Sequence, residues 1–196
     1  GHHAYVVGGC VRDSLLGLTP HDWDICTSAT PDDVISCFAG EKIIKAGLPY
    51  GTIAIVLPDG KYDVTTFRTR EMSDGASPLK DDLSLRDFTV NAMAYNPHAG
   101  IIDPFYGQSA LENRILVCTG SSVSRFTEDP LRILRALRFA SIYGFELGTG
   151  VQAVARELSS TVEQSAPERI QSELCKLLCG NYSMSVLLDY KDIFST

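Results

Sequence analysis

Positive charge is what this 196-residue sequence is short of: 17 lysines and arginines stand against 24 aspartates and glutamates, a formal charge of −7. That balance excludes a broad electrostatic grip on nucleic acid, which depends on neutralising many phosphates. Contact with RNA would need a local basic patch or a further domain. Long apolar runs are also lacking. None approaches the roughly 18 residues of a membrane-spanning helix, so no membrane partner is expected. No secretory leader pattern opens the chain, and Gly1, His2 and His3 read as a tag remnant rather than as metal ligands. The six cysteines, at positions 10, 26, 37, 118, 175 and 179, make no C-x-x-C pair and fit no zinc spacing. They read as reduced thiols of a cytoplasmic protein. His21 and His98 have no partner at metal-binding spacing. Internal repeats are absent, and oligomeric state leaves no mark.

What is present is enough apolar content, 44%, to bury one large core or two small ones. "AYVVGG" reads as a buried strand entering a glycine turn, and "VRDSLLG" as a short helix closed by Gly17. "DWDICTSA" is a second strand. In "TPDDVISCFAG", Thr30 is placed to cap a helix, with Pro31 in its first turn and Asp32 and Asp33 near the positive dipole end. "GTIAIVLPDGKYDVTTFRT" reads as a hairpin turning at Asp59-Gly60. Residues 71–84 are polar and aperiodic, and a mobile loop is expected there. "LRDFTVNAMAYN" and "GIIDPF" flank another turn. From Thr127 onward the pattern is helical, with no strand. A boundary is expected near 117–124, with an α/β domain over 4–117 and an all-α domain over 118–196. Tyr5, Phe67, Phe88, Phe105 and Phe139 read as core residues.

Asp22 and Asp24 flank Trp23 in the second strand. Side chains two apart on a strand point the same way, so these two carboxylates project together. Like charges held that close repel unless a cation joins them. Two carboxylates and a substrate phosphate suit Mg²⁺, and a third carboxylate on a neighbouring strand completes a two-metal site. Asp63, in "KYDVTTF", is the candidate. Alone, D-x-D also fits a solvent-facing strand end without metal. The preceding "VVGGCVRD" offers a seat for an anion: glycines permit close backbone approach, a helix start presents N–H groups, and Arg12 adds a cation.

Taken in order, "GGCVRD", "HDWDICTSATPDDV", "YGTIAIV", "YDVTTFR", "LRDFTVNAMAY", "IIDPFYG" and "EDPLRILRALRFA" resemble the class II tRNA nucleotidyltransferase (CCA-adding enzyme) and bacterial poly(A) polymerase family. The resemblance covers about residues 4–180. It implies an α/β nucleotidyltransferase head of the polymerase-beta type with a small mixed sheet, then an all-α neck, with body and tail domains absent. The implied reaction is template-independent addition of CMP and AMP, from CTP and ATP, to the tRNA 3′ end with Mg²⁺ as cofactor. Carried over, Asp22 and Asp24 hold metal and Asp63 assists. Gly8, Gly9 and Arg12 seat the triphosphate, Arg86 and Asp87 contact the nucleotide's phosphate and ribose, and Asn91 belongs to the same nucleotide-binding set. Asp129 and Arg132 read the base, with Arg135 and Arg138 nearby. Leu85 stands where the family usually carries a basic residue, and the connection between Arg70 and Arg86 is short, a trait associated with CC-adding enzymes. CC-adding, A-adding, poly(A)-polymerase and non-catalytic nucleotide-binding readings therefore stay open.

"TEDPLRILRALRFA" also has a logic of its own. Thr127 is placed as a cap, and Glu128 and Asp129 suit a first turn. Ile133, Ala136, Leu137 and Ala140 share an apolar face, opposite Glu128, Arg132, Arg135 and Arg138. A solvated face with a Glu128–Arg132 ion pair fits the pattern. So does base selection. Cytosine and adenine both offer an amino donor beside a ring-nitrogen acceptor, which an aspartate and an arginine satisfy; guanine and uracil present the reverse.

Overall fold

The computed structural model describes residues 1–68 and 77–194. It divides into two units: Gly1–Arg86 with Val90–Gln108, and Asp87–Thr89 with Ser109–Thr196.

The first unit is built on β-branched runs separated by turn residues. Its elements are β1 (Ala4–Val7), α1 (Gly9–Leu15), β2 (Trp23–Thr27), α2 (Pro31–Cys37), β3 (Lys42–Ile44), β4 (Thr52–Leu57), β5 (Gly60–Thr66), α3 (Pro78–Ser84), β6 (Ala94–Asn96) and β7 (Gly100–Ile102). The strands make one seven-stranded sheet in the order β3-β4-β5-β2-β1-β6-β7. β2 and β5 run parallel and the other neighbours antiparallel, a mixed sheet. Alternation along the strands sends Ile25, Ile53, Ile55 and Val64 to one face, where they pack with Val34 of α2. Val7, Cys26 and Ala94 pack on the other side with Leu79 and Leu83 of α3. Each fully buried aliphatic side chain of this kind contributes about 1.5–3 kcal/mol. Thr30 does cap α2: it accepts from the Asp33 N–H while Asp33 accepts from the Thr30 N–H. The hairpin closes at Leu57–Gly60, so Pro58 and Asp59 form its two-residue turn; Gly60, expected in the turn, is already the first residue of β5.

The expectation of a mobile loop over 71–84 fails in its second half, where α3 begins at Pro78. Ser77-Pro78 is a helix-start signal, and Leu79 and Leu83 are four apart on the buried side. Residues 71–76 lie outside the described residues.

The second unit contains α4 (Gly107–Glu112, whose first two residues belong to the other unit), β8 (Ile115–Leu116), α5 (Ser122–Glu128), α6 (Leu131–Tyr143), β9 (Glu146–Leu147), α7 (Thr149–Glu157), α8 (Pro167–Leu178) and α9 (Ser183–Asp189). β8 and β9 pair over two residues only; the rest is helical. Ile133, Ala136, Leu137 and Ala140 are buried as their spacing requires, but Leu131, Leu134 and Phe139 are buried too. α6 is therefore the central helix, packed against α8 and α9. Phe88 and Phe139 meet edge to face, centroids 5.6 Å apart.

Thr127 is not a cap, and Glu128 and Asp129 do not open α6. Thr127 and Glu128 end α5, Asp129 is extended (φ −149°, ψ 98°), and α6 starts at Leu131. Pro130 is the cause: it disfavours helical geometry in the residue before it and has no N–H to continue a helix through the junction. All six cysteines are free thiols. Among the described residues, no helix is long and apolar enough to cross a membrane.

Candidate active site

In the first unit the chain leaves β1 through Gly8, at φ 80° and ψ −133°. A Cβ on Gly8 would lie 2.5 Å from Arg86 Nη1 and 3.6 Å from Asp24 Oδ2. Only glycine accepts both that backbone and that closeness. Gly9 opens α1, and a Cβ there would lie 3.4 Å from Arg12 Nη2. Arg12 is buried; its Nε donates to Asp13 Oδ1 at 2.9 Å and its Nη1 to Asn91 Oδ1. Gly8, Gly9, Arg12, Arg86 and Asn91 thus gather around one strand-to-helix turn.

Asp24 is opposite Val7 on one side and opposite Asp63 on the other, so the Asp24 and Asp63 carboxylates leave the same sheet face from adjacent strands. Asp22 lies just before β2. Burial raises the Asp24 carboxyl pKa; Arg86 opposes that, the Asp63 and Asp22 charges add to it, and Arg68 opposes it again. The residue still has a solvent-exposed surface. Asp63 is partly neutralised by Lys61 Nζ, 3.0 Å from its Oδ1. Among the described residues, no three His, Cys, Asp or Glu side chains close into a metal cage. An open pair of carboxylates fits a hard divalent cation that takes its other ligands from water and phosphate. The mutual repulsion in the donor set is what such an ion relieves.

Two residues given no role in the sequence reading, Asp82 and Arg68, stand beside this group. Asp82 on α3 is wholly buried and contacts both Arg68 and Arg86. A helical reading of 78–84 would have found it, since Asp82 and Arg86 are four residues apart.

In the second unit, Asp87 Oδ2 accepts from Arg135 Nε at 2.9 Å and Nη2 at 2.6 Å, and its Oδ1 accepts from the Phe88 N–H at 2.8 Å. Burial pulls the Arg135 pKa down, but Asp87, Glu173 and Asp129 together raise it above its ordinary value. Arg138 Nε donates to the buried Glu173 of α8. Arg132 Nη1 donates to Glu128 Oε2 at 2.9 Å and to the Arg125 carbonyl at 3.0 Å. Asp129 Oδ2 accepts from Arg169 Nη2 at 2.9 Å, and its Oδ1 from the Leu131 N–H at 3.3 Å. Asp129 and Arg132 are thus each engaged by another partner: Arg169 for Asp129, Glu128 for Arg132.

Residues 4–117 match the Poly A polymerase head domain, and residues 144–190 match the probable RNA and SrmB- binding site of polymerase A. The chain is 41% identical over 196 residues to a CCA-adding enzyme of Geobacillus thermodenitrificans, covering 95% of this chain and 48% of that protein. It is 43% identical over 197 residues to one of Bacillus cytotoxicus, covering 95% and 49%. The crystal structure of the Bacillus stearothermophilus CCA-adding enzyme in complex with CTP superposes with a TM-score of 0.88 at 41% identity, over 95% of this chain and 47% of that one. The Thermotoga maritima CCA-adding enzyme complexed with tRNA gives 0.84 at 28% identity, over 98% and 47%. The chain spans about half the length of the curated relatives it matches.

Proposed function

The chain belongs to the Poly A polymerase head domain family, and on that premise we propose that it is the catalytic head (4–117) and neck (118–196) of an Mg²⁺-dependent nucleotidyltransferase that adds C, C and A to the tRNA 3′ end from CTP and ATP. One observation carries the reading: the Asp24 carboxylate, raised by burial and by Asp63 and Asp22, faces the Gly8 turn together with Arg86. That is a carboxylate pair waiting for a cation beside a backbone that admits a phosphate.

Asp22 and Asp24 hold the metal, and Asp63 supports the hydroxyl side of the site. Bound there, Mg²⁺ supplies a lowered pKa at the terminal RNA hydroxyl and charge neutralisation on the triphosphate. That hydroxyl attacks the α-phosphorus in line, and pyrophosphate leaves. Gly8 and Gly9 let the phosphates approach the backbone, while Arg86 and Arg12 stabilise the developing negative charge. Asp13 and Asn91 fix the Arg12 guanidinium, so little orientation is lost when substrate binds. Asp129 accepts from the amino group of C or A and Arg132 donates to the ring nitrogen, in exchange for their contacts with Arg169 and Glu128. Asp87 anchors Arg135 beside the nucleotide's sugar, and Glu173 anchors Arg138. The six free cysteines support a cytoplasmic setting.

The test is incubation of the full-length protein with tRNA lacking its end, Mg²⁺ and labelled CTP or ATP. Growth by C, C and A is expected. A halt after two C residues supports a CC-adding enzyme, which the short connection between Arg70 and Arg86 favours; residues 69–76 of that connection lie outside the described residues. A single A added to a CC end, or a long A tract, points to an A-adding enzyme or a poly(A) polymerase. Nucleotide binding without growth leaves a non-catalytic module and refutes the catalytic reading.

A further inference from the structure

Asp82 has no solvent exposure, yet its two oxygens are treated differently. Oδ1 accepts from the Arg68 main-chain N–H at 3.1 Å and from Arg68 Nε at 2.9 Å. Oδ2 stands 3.5 Å from Arg86 Nη2 and has no hydrogen-bond partner among the described residues, and Arg86 Nε is likewise buried without one among them. A buried carboxylate is tolerated only when it is paired. Here one carboxylate serves two guanidinium groups and satisfies neither fully. Arg86 continues past it to the Gly8 turn, where its Nη1 occupies the space a Cβ would need. Arg68 keeps about half of its side-chain surface exposed, 48%. The charges of both arginines also reach Asp24. A pair made only to neutralise Asp82 would bring in one arginine and bury it. The second cation and the solvent-facing Arg68 side chain call for an anion arriving from outside.

We propose that Asp82 is a positioning residue that holds Arg68 and Arg86 as a two-guanidinium clamp, and that Arg68 is a second phosphate contact for the incoming nucleotide. The proposal rests on the nucleotidyltransferase reading and adds to it a residue that touches substrate and one that aims it. Guanidinium groups suit the task because their forked donors match phosphate oxygens.

The test measures equilibrium binding of CTP, CMP and inorganic tripolyphosphate to the full-length protein and to its R68Q, R68K and D82N variants. R68Q is expected to weaken CTP and tripolyphosphate at least about tenfold, the loss of one charge-assisted hydrogen bond. CMP should change by no more than about twofold, and R68K should recover part of the loss. D82N should show the same ligand pattern, at least as strongly because it releases both arginines, and D82N with R68Q should lose no more than D82N alone, because Arg68 is already released in D82N. If D82N does not fold, D82E takes its place, keeping the charge but moving it by one methylene. Wild-type affinity for CTP and tripolyphosphate in R68Q overturns the clamp whatever the Asp82 variants do; wild-type affinity in a folded Asp82 variant overturns the positioning role. A protein that binds tripolyphosphate through Arg68 yet never extends tRNA keeps the clamp and loses the nucleotidyltransferase reading. Normal extension with CTP binding insensitive to R68Q does the reverse.

Discussion

In the first unit, Asp24 meets Asp63 across a parallel ladder with Asp22 close by, and Arg86 has a buried Nε with no acceptor among the described residues. In the second, Arg135 donates through Nε and Nη2 to Asp87, Arg138 is held by Glu173, and Arg125 and Arg132 by Glu128. Around Asp24 like charges are crowded together, whereas along α6 each of these charges is paired off with an opposite one. Crowding is tolerated where a reacting group or ion will relieve it, since interactions that complete only with substrate bound are the ones that assist a reaction. Pairing is what a rigid frame for recognition needs, because a held side chain loses little freedom on binding. The contrast is testable: mutations in the first unit should remove activity more than stability, and mutations of the paired charges in the second should do the opposite.

The largest expected effect is at Asp24. Asp24→Ala should lower nucleotide addition on the order of 10⁴-fold, as removal of one member of a catalytic unit does, while circular dichroism and the thermal transition stay close to wild type. Near-normal turnover of the purified variant would break the comparison at its active end. Next is Arg138, only 13% exposed against Glu173 at 8% and with its guanidinium 4.4 Å from the centroid of the Phe139 ring. Arg138→Ala strands a buried carboxylate and should destabilise the protein by about 3 kcal/mol in urea unfolding. Replacing both partners with apolar residues, R138M with E173L, should recover most of that loss; no recovery would mean the arginine acts through something other than the pair.

Asp129 sharpens the boundary between frame and function. It sits on the extended residue between α5 and α6, and its partner Arg169 is exposed, so the pair contributes under about 1 kcal/mol. Asp129→Ala should leave unfolding nearly unchanged and relax selection of C and A over G and U by about 10²-fold. Misincorporation of UMP and GMP measures this; intact selection would remove Asp129 from base reading.

How far these features could be read in the sequence depended on whether their cause was local. The cap at Thr30, the glycine at position 8 and the facing of Asp24 by Asp63 follow from residue type, spacing and strand alternation, and so does the hairpin, though its turn falls at Pro58-Asp59, one residue before the expected Asp59-Gly60. The break at Pro130 is present in the letters, but the favourable charges of Glu128 and Asp129 outweigh it and put the helix start at Thr127, where α5 is in fact ending. Asp82 was hidden by its polar surroundings: Lys80, Asp81 and Ser84 disguise a short helix whose only apolar anchors are Leu79 and Leu83. The partners of Arg135 and Arg138 could not be read from spacing, because Asp87 lies 48 residues away and Glu173 35. Tertiary folding, not periodicity, joined two arginines of a face that looked solvated to the buried carboxylates of Asp87 and Glu173.

The smallest effect separates chemistry from stability at a single residue. The Asp24 pKa is raised in the folded state, chiefly by burial and then by Asp63 and Asp22 against Arg86 and Arg68. A carboxyl whose folded pKa lies above its unfolded value binds more protons when folded, so its contribution to stability falls as pH rises through the window between the two values. Above that window the ionised group is a standing cost to the fold, small because the side chain is partly exposed. Asp24→Asn should therefore raise the melting temperature by about 1–2 °C at pH 7, and the gain should disappear at a pH below the ordinary carboxylate value, where the wild-type group is protonated in both states. The same substitution should abolish nucleotide addition. A variant that is inactive and slightly more stable at neutral pH identifies Asp24 as a charge kept for the reaction at the expense of the fold; one that loses stability at pH 7 would put Asp24 among the structural pairs and erase the distinction between the units.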